Sequence, residues 1–331
     1  MKLLVIGAAG MLGRKFCEKL SRIGTIAGEK VSSLIMSDVI APPQLGNAPF
    51  DVELLACDLS APGVAAKLIA KRPDMIFHLA AIVSGEAEAD FEKGYRINLS
   101  GTQYLFDALR QASSKGSARS GYLPRLVFTS SIAVFGAPFP EVINEEFFMT
   151  PLTSYGTQKR ICELLLADYT RRGFFDGIGI RLPTICVRPG KPNKAASSFF
   201  SNIIREPLRG EKAVLPVSDN VRHWFTSPRS AVDFLFRAAE IDGAEIGHRR
   251  NLTMPGLSVT VREMIEGLRR VAGSEIVNLI RHVPDPIIAR IVDGWARNLD
   301  ATRAISFGFK AETNFDDIIR AHIEDEHAGK L

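Results

Sequence analysis

The stretch VIGAAGMLGRKF near the start of the chain sets Gly7, Gly10 and Gly13 directly after an apolar run, LLVI at 3–6, and at the mouth of a segment with helical period. Each glycine then has a physical role, since the first permits a tight turn, the second lets backbone approach a pyrophosphate, and the third lets the helix pack closely. Phosphates placed here meet the positive end of a helix dipole. Three glycines in a bare string carry little, but strand, glycines and helix in order predict a dinucleotide site, with Met11 and Leu12 in the first helical turn as further contacts. The alternative is a glycine-rich turn with no ligand.

The strand-then-helix rhythm continues. SSLIMSDV (32–39), MIFHLAA (75–81), RLVFTSS (125–131) and IGIRLPTI (178–185) are expected as buried strands, with helical segments such as MLGRKFCEKLSRIG and INLSGTQYLFDALRQAS between strands. Strands apolar on both faces, alternating with helices, predict an α/β fold: a doubly wound parallel Rossmann sheet. Beyond Arg188 the rhythm breaks into proline-rich and turn-like stretches, including NLTMPGLSVT, expected as a loop. A smaller C-terminal α+β substrate domain is expected there. The expected division is 1–188 for the cofactor domain, with 221–240 returning to it, and 189–220 with 241–331 for the substrate domain.

Composition narrows the class. The 331 residues are 46% hydrophobic and 24% charged, ordinary for a soluble globular protein, and the net charge of +4 is spread without a polybasic tract. No nucleic-acid or membrane partner is expected. Cys17, Cys57, Cys162 and Cys186 stand far apart, with neither metal-ligand spacing nor a disulfide framework, so free thiols, no metal and a cytoplasmic setting are expected. The N-terminal apolar run is interrupted by glycine after four residues, too few for a signal-peptide core.

Asp38 closes the second expected strand, about 25 residues beyond Gly13. A carboxylate there can accept hydrogen bonds from both adenine-ribose hydroxyls and repel a 2′-phosphate, which favours NAD over NADP. A solvated aspartate in a strand-end turn is the other reading. Asp58 and Leu59 stand where an adenine could lie, and the small residues Leu79, Ala80 and Ala81 end a strand that a cofactor could approach. His78, inside an apolar strand, is expected as a core residue.

In TSYGTQKRICELL, Tyr155 and Lys159 are four apart at the start of an expected helix and so share a face. A fixed ammonium near a phenol favours the phenolate and brings it toward use as a base. The spacing by itself also fits an accidental neighbourhood of an aromatic and a cation.

Taken together, the Gly-x-x-Gly-x-x-Gly turn, the Asp-Leu pair, His-Leu-Ala-Ala, FTSSIAVFG and Tyr-x-x-x-Lys resemble the extended short-chain dehydrogenases/reductases, over residues 1 to about 240. That group includes the nucleotide-sugar epimerases and dehydratases. The resemblance implies an NAD-dependent oxidoreductase in which Ser131, Tyr155 and Lys159 are catalytic. Tyr155 is the acid/base and a cofactor contact, and Lys159 lowers its pKa and holds the nicotinamide ribose. It further implies Asn98 near the cofactor and Pro183 and Thr184 beside the nicotinamide. Ser130 competes with Ser131, since adjacent strand residues point to opposite faces and only one of them reaches the substrate. Homodimers are frequent in the family.

For the substrate, Arg188, Lys191 and Lys194 gather three cations beside Ala195 to Ser198, expected as a helix start with hydroxyl caps. Cations, hydroxyls and a helix N-terminus suit a carboxylate. A solvated basic loop is the plain alternative. The stretch resembles the branch of the family that oxidises the C2 hydroxyl of D-erythronate, a four-carbon sugar acid, to the 2-oxo acid. The implied substrate contacts are Ser84, Ser131, Tyr155, Arg188, Lys191, Ser198 and Arg222. Arg222 stands where nucleotide-sugar enzymes hold a diphosphate, which keeps a nucleoside-diphosphate-sugar epimerase or dehydratase as the alternative. The third possibility is a non-catalytic NAD-binding regulatory protein.

Overall fold

The apolar run that opens the chain becomes β1 (Lys2–Ile6), and it lies inside a sheet because both its faces are apolar: Leu3, Leu4 and Val5 have no exposed surface. Six strands join it, namely β2 (Ser33–Asp38), β3 (Asp51–Ala56), β4 (Met75–His78), β5 (Arg125–Ser131), β6 (Asp176–Leu182) and β7 (Asn251–Thr253). Their spatial order is β7-β6-β5-β4-β1-β2-β3. The pairs β1 with β2, β1 with β4, β2 with β3 and β4 with β5 are parallel. The order reverses between β1 and β4, so the carboxyl ends of these two strands flank the crevice in which open α/β sheets bind ligands. This computed structural model describes residues 1–114, 121–190, 196–327 and 329.

Helices cover both faces. On one, α1 (Met11–Ile23) brings Phe16 within 4.3 Å of Phe77 and 4.9 Å of Phe236, measured between ring centroids. On the other, α2 (Val64–Ala70), α3 (Gly101–Ser114) and α4 (Ser154–Arg171) bury Leu68, Phe106, Leu109, Cys162 and Leu166 against Leu4, Leu126 and Phe128. A single turn of π-helix, Tyr95–Ser100, leads into α3.

Three local expectations change. Asp51–Ala56 is a strand that was not expected; it is the sheet edge, its burial alternates, and it carries Asp51 and Glu53, so it lacks the apolar run of a central strand. The run expected at 178–185 divides at Pro183, which has no N–H for the ladder. β6 ends at Leu182, and Thr184–Ile185 pairs with Arg222–Thr226. NLTMPGLSVT, expected as a loop, supplies β7 and the strand Leu257–Thr260, which pairs antiparallel with Arg222–Thr226.

Contacts divide the chain into a first unit of 1–131, 153–181 and 232–252 and a second of 132–152, 182–231 and 253–331. Residues 132–152, placed with the cofactor domain on sequence grounds, belong to the second because Ile132, Val134, Phe135 and Ile143 share a core with Trp224, Ala296 and Leu299. A larger core in that unit gathers Phe199, Phe200, Ile203, Phe225, Met264, Leu268, Phe315 and Ile318 around its three-stranded sheet.

Candidate active site

Gly7 follows β1 with φ +93°, a left-handed conformation that favours glycine, and a Cβ there would stand 2.5 Å from the Ala80 nitrogen. The closeness arises because Leu79 and Ala80 continue from β4 with both N–H groups donating to the Ile6 carbonyl. At Gly13 a Cβ would lie 2.1 Å from the Gly7 carbonyl oxygen, so this glycine lets α1 rest directly on the turn. Gly10 is exposed and is the N-cap, with no side chain to satisfy the helix N–H groups, and the first turn, starting with Met11 and Leu12, contains no acid. The positive end of α1 is thus open to an anion.

β2 ends at Asp38. Its Oδ2 accepts from the Ala9 N–H at 2.9 Å and its Oδ1 from the Val39 N–H at 2.7 Å, which sets the carboxylate beside the glycine turn. Asp58 lies past the end of β3. Partial burial opposes its charge, but bonds from the Ser60 N–H and hydroxyl at 2.8 and 2.6 Å and from Arg96 at 3.0 Å outweigh this and hold its carboxyl below the usual range. The Leu59 side chain is buried in the core of this unit. Leu79, Ala80 and Ala81 are half-buried.

Thr153 caps α4, its hydroxyl accepting from the Gly156 N–H, and the Ser154 N–H donates to Glu88. This fixes the first turn, which carries the half-buried Tyr155. One turn on, Lys159 is buried, with Nζ 5.8 Å from the Tyr155 ring centroid and 4.7 Å from that of Phe128. It donates to the Thr129 carbonyl at 2.8 Å. Burial lowers its pKa to about 8, opposed by Cys162 and Glu163, so it stays an ammonium at neutral pH. Burial also pushes the Cys162 thiol up to about 11.

The strand alternation separates the two serines. Ser130 is buried and donates to Glu163 at 2.7 Å, whereas Ser131, half-buried at the end of β5, points to the opposite face. Asn98, in the π-turn, accepts from the Ile82 N–H at 2.9 Å and donates to the Ile82 carbonyl and to Gln158, so its side chain ties the segment after β4 to α4. Ser84, half-buried, opens the short helix Ser84–Ala89. His78 contacts Thr102, whose hydroxyl donates to the Asn98 carbonyl, so His78 Nε2 is the donor to Thr102. Burial, with the Lys159 charge adding to it, lowers the His78 pKa to about 3; it is a neutral core residue, as expected.

Two residues of this unit were not singled out in the sequence. Glu163, fully buried on α4, receives Arg181 Nε and Nη2 at 2.8 and 3.0 Å as well as Arg160 at 3.1 Å. Removing one partner from a buried pair costs about 3–5 kcal/mol. A glutamate four beyond Lys159 and an arginine inside an otherwise apolar strand were the available signals.

The second unit holds the remaining expected contacts. Pro183 is buried, and Thr184 Oγ1 lies 2.7 Å from His223 Nε2. His223 stacks on Phe200, and burial lowers its pKa to about 4. Arg188 Nε donates to the Ile185 carbonyl, and its N–H donates to the Ser201 hydroxyl. The helix Ser198–Leu208 starts at the buried Ser198, but its N-cap, Ser197, makes no side-chain capping bond, so the expected hydroxyl cap does not form. Arg222 donates to the Ser258 carbonyl at 2.6 Å and pairs with Glu263 at 3.4 Å. Lys191 and Lys194 lie outside the described residues.

A model of the NAD-dependent epimerase/dehydratase family matches residues 3–246. The chain belongs to that family. Among its similar members, the D-erythronate dehydrogenase of Cupriavidus necator is 44% identical over the whole of both chains, and that of Haemophilus influenzae 41% identical over 98% of this chain and 99% of its own. A solved structure described as the nucleoside-diphosphate-sugar epimerase from Agrobacterium tumefaciens is 61% identical and superposes with a TM-score of 0.97, covering all of this chain and 95% of that one.

The protein is accordingly an NAD-dependent oxidoreductase with a Rossmann sheet, and the first unit fits the family's cofactor. The close glycine turn, the helix end without a capping side chain and the fixed Asp38 match the needs of a pyrophosphate and an adenine ribose. Among the described residues no helix is long and apolar enough to cross a membrane, and no group of three or more His, Cys, Asp or Glu could hold a metal ion.

Proposed function

We propose that the protein oxidises the C2 hydroxyl of D-erythronate to 2-oxo-erythronate. The observation that carries the reading is the buried, charged Lys159 one turn from Tyr155, in a chain whose full-length relatives include two D-erythronate dehydrogenases. The Lys159 ammonium favours the Tyr155 phenolate, which takes the proton of the substrate hydroxyl. Ser131 hydrogen-bonds the same oxygen and fixes its position. Bound NAD supplies the acceptor for the hydride that leaves C2. In the first unit Gly7, Gly10, Met11, Leu12, Gly13, Asp38, Asp58, Leu59, Leu79, Ala80 and Ala81 are assigned to the cofactor, with Asn98 holding their frame; Pro183 and Thr184 are assigned to the nicotinamide by the family resemblance. Arg188, Ser198 and Lys191 receive the substrate carboxylate.

Incubation of the protein with D-erythronate and NAD tests the reading: reduced nicotinamide accumulates, followed by absorbance, in proportion to substrate consumed. A second reading, a nucleoside-diphosphate-sugar epimerase, is favoured by the description of the 61%-identical structure. In that case the hydride returns to the sugar and the cofactor ends unchanged, with a new epimer detectable by chromatography.

Two variants follow from these assignments. Asp38→Ala raises the Michaelis constant for NAD roughly tenfold or more, the scale of a lost hydrogen bond to a charged group, and narrows the preference over NADP. Unaltered preference in paired NAD and NADP assays places the ribose elsewhere. Arg188→Gln raises the Michaelis constant for D-erythronate about tenfold with little change in turnover, as lost uniform binding does. Equal effects on neutral and acidic sugars remove Arg188 from the carboxylate site.

A further inference from the structure

Glu163 is wholly buried on the helix that carries Tyr155 and Lys159, yet the chemistry above gives it no part. Its Oε1 accepts from Ser130 at 2.7 Å and from Arg181 Nε at 2.8 Å, and its Oε2 from Arg181 Nη2 at 3.0 Å and Arg160 at 3.1 Å. One turn earlier, Lys159 Nζ holds the Thr129 carbonyl. Two consecutive residues of β5, Thr129 and Ser130, are thereby bonded to two residues of α4 one turn apart. The next strand residue is Ser131. Neither sliding nor rotation of the helix against the strand is possible without breaking one of these bonds.

An apolar pair of similar volume would hold a helix to a sheet as well as a buried ion pair does. A charged pair at this point therefore supplies something that packing does not. We propose that Glu163 and Arg181 are positioning residues for the hydride-transfer site: they lock Ser131 in register with Tyr155 and Lys159, and they set the electric field in which Tyr155, beside the Lys159 ammonium, takes up and releases its proton. The inference rests on the reading of Tyr155 and Lys159 as the acid/base pair.

The groups around Lys159 make the field simple. Its own helix contributes Tyr155, Arg160, Cys162 and Glu163; β4 contributes His78, which is neutral; β5 contributes the Phe128 ring and the Thr129 carbonyl; β6 contributes Arg181 through Glu163. Asn98 and Thr102 bring no charge. Cys162 stays protonated while Lys159 titrates, which leaves Glu163 as the carboxylate among these groups.

Removal of an anion favours loss of a proton from any neighbour, and removal of a cation opposes it. The test is a pH titration of the NAD-bound protein, following the phenolate absorbance that Tyr155→Phe abolishes; it needs no substrate. Glu163→Gln moves the midpoint down and Arg181→Met moves it up, each on the order of half to one pH unit. The double variant returns close to the wild-type midpoint. Turnover with D-erythronate falls about tenfold in each single variant, with the Michaelis constant for NAD little changed.

Superimposable midpoints, or thermal destabilisation with wild-type turnover in the folded protein, overturn the proposal. Should the charge variants not fold, Ser130→Ala keeps every charge: turnover falls while the midpoint stays, and Ser130→Thr restores it. Unimpaired Ser130→Ala overturns the register half of the proposal. Wild-type turnover in Tyr155→Phe instead sinks the acid/base reading itself, and absence of reduced nicotinamide with D-erythronate sinks only the substrate.

Discussion

Tyr155→Phe lowers turnover by roughly 10²–10⁴-fold, the range of a lost general acid or base, while the dissociation constant for NADH changes less than about twofold on the same grounds. The substitution deletes one oxygen. The ring that lies 5.8 Å from the Lys159 ammonium remains, as do the Thr153 cap and the bond from Lys159 to the Thr129 carbonyl. Turnover by nicotinamide absorbance, NADH binding by fluorescence and a thermal melt together separate lost chemistry from lost fold. A variant that binds the cofactor and melts like the wild type but does not turn over carries the mechanism. A variant that turns over normally removes Tyr155 from the role of acid/base; only a wild-type protein that binds NAD and turns over neither substrate returns the chain to the regulatory reading.

Gly13→Ala has the second large effect. The added methyl carbon would sit 2.1 Å from the Gly7 carbonyl oxygen and 2.8 Å from the Ala8 Cα, and both are backbone atoms of the turn itself. A flexible side chain could move aside; this turn is also held by the Ser37 carbonyl, which accepts from the Gly7 and Ala8 N–H groups. Overpacking costs about 1–3 kcal/mol, and a chain of this size loses roughly 1–2 °C of Tm per kcal/mol. Relief by pushing α1 away from the turn also removes the helix N–H groups from the place where phosphates would bind, so NAD affinity falls by more than tenfold. Gly46→Ala, with nothing within 4 Å of the added carbon, is the control. Equal melts and equal NAD affinities for the two variants contradict the close approach.

What was legible in the sequence was local. A turn, its helix and an acid at the next strand end are short-range patterns, so the glycine motif, Asp38 and the Tyr155–Lys159 helix appear where their spacing puts them. The buried strands β1, β4 and β5 announced themselves by unbroken apolar runs. β3 did not, because an edge strand keeps one side polar, and β7 did not, because three residues before a Met-Pro-Gly turn make no period. The pairing of Glu163 with Arg181 joins a helix to a strand 18 residues on, and no repeat or motif encodes such a tertiary contact. Residues 132–152 carry apolar side chains whose partners, Trp224 and Leu299, stand far along the chain. The parity of β5 was not legible either: that Ser130 turns toward Glu163 on α4 is a tertiary contact.

The π-turn at Tyr95–Ser100 has an implication for chain length. It closes with the Gly101 N–H on the Arg96 carbonyl, a ring one residue wider than that of an α-helix, and Asn98 rides inside it. Loss of a single residue here would wind the turn back to ordinary pitch and swing position 98 by roughly 100°, carrying the amide away from Ile82 and Gln158. Substitutions at the exposed or half-buried positions around Asn98 leave the width of the turn unchanged; insertions and deletions do not. Among proteins built on this plan, the segment should therefore drift in spelling around position 98 while its letter count stays fixed.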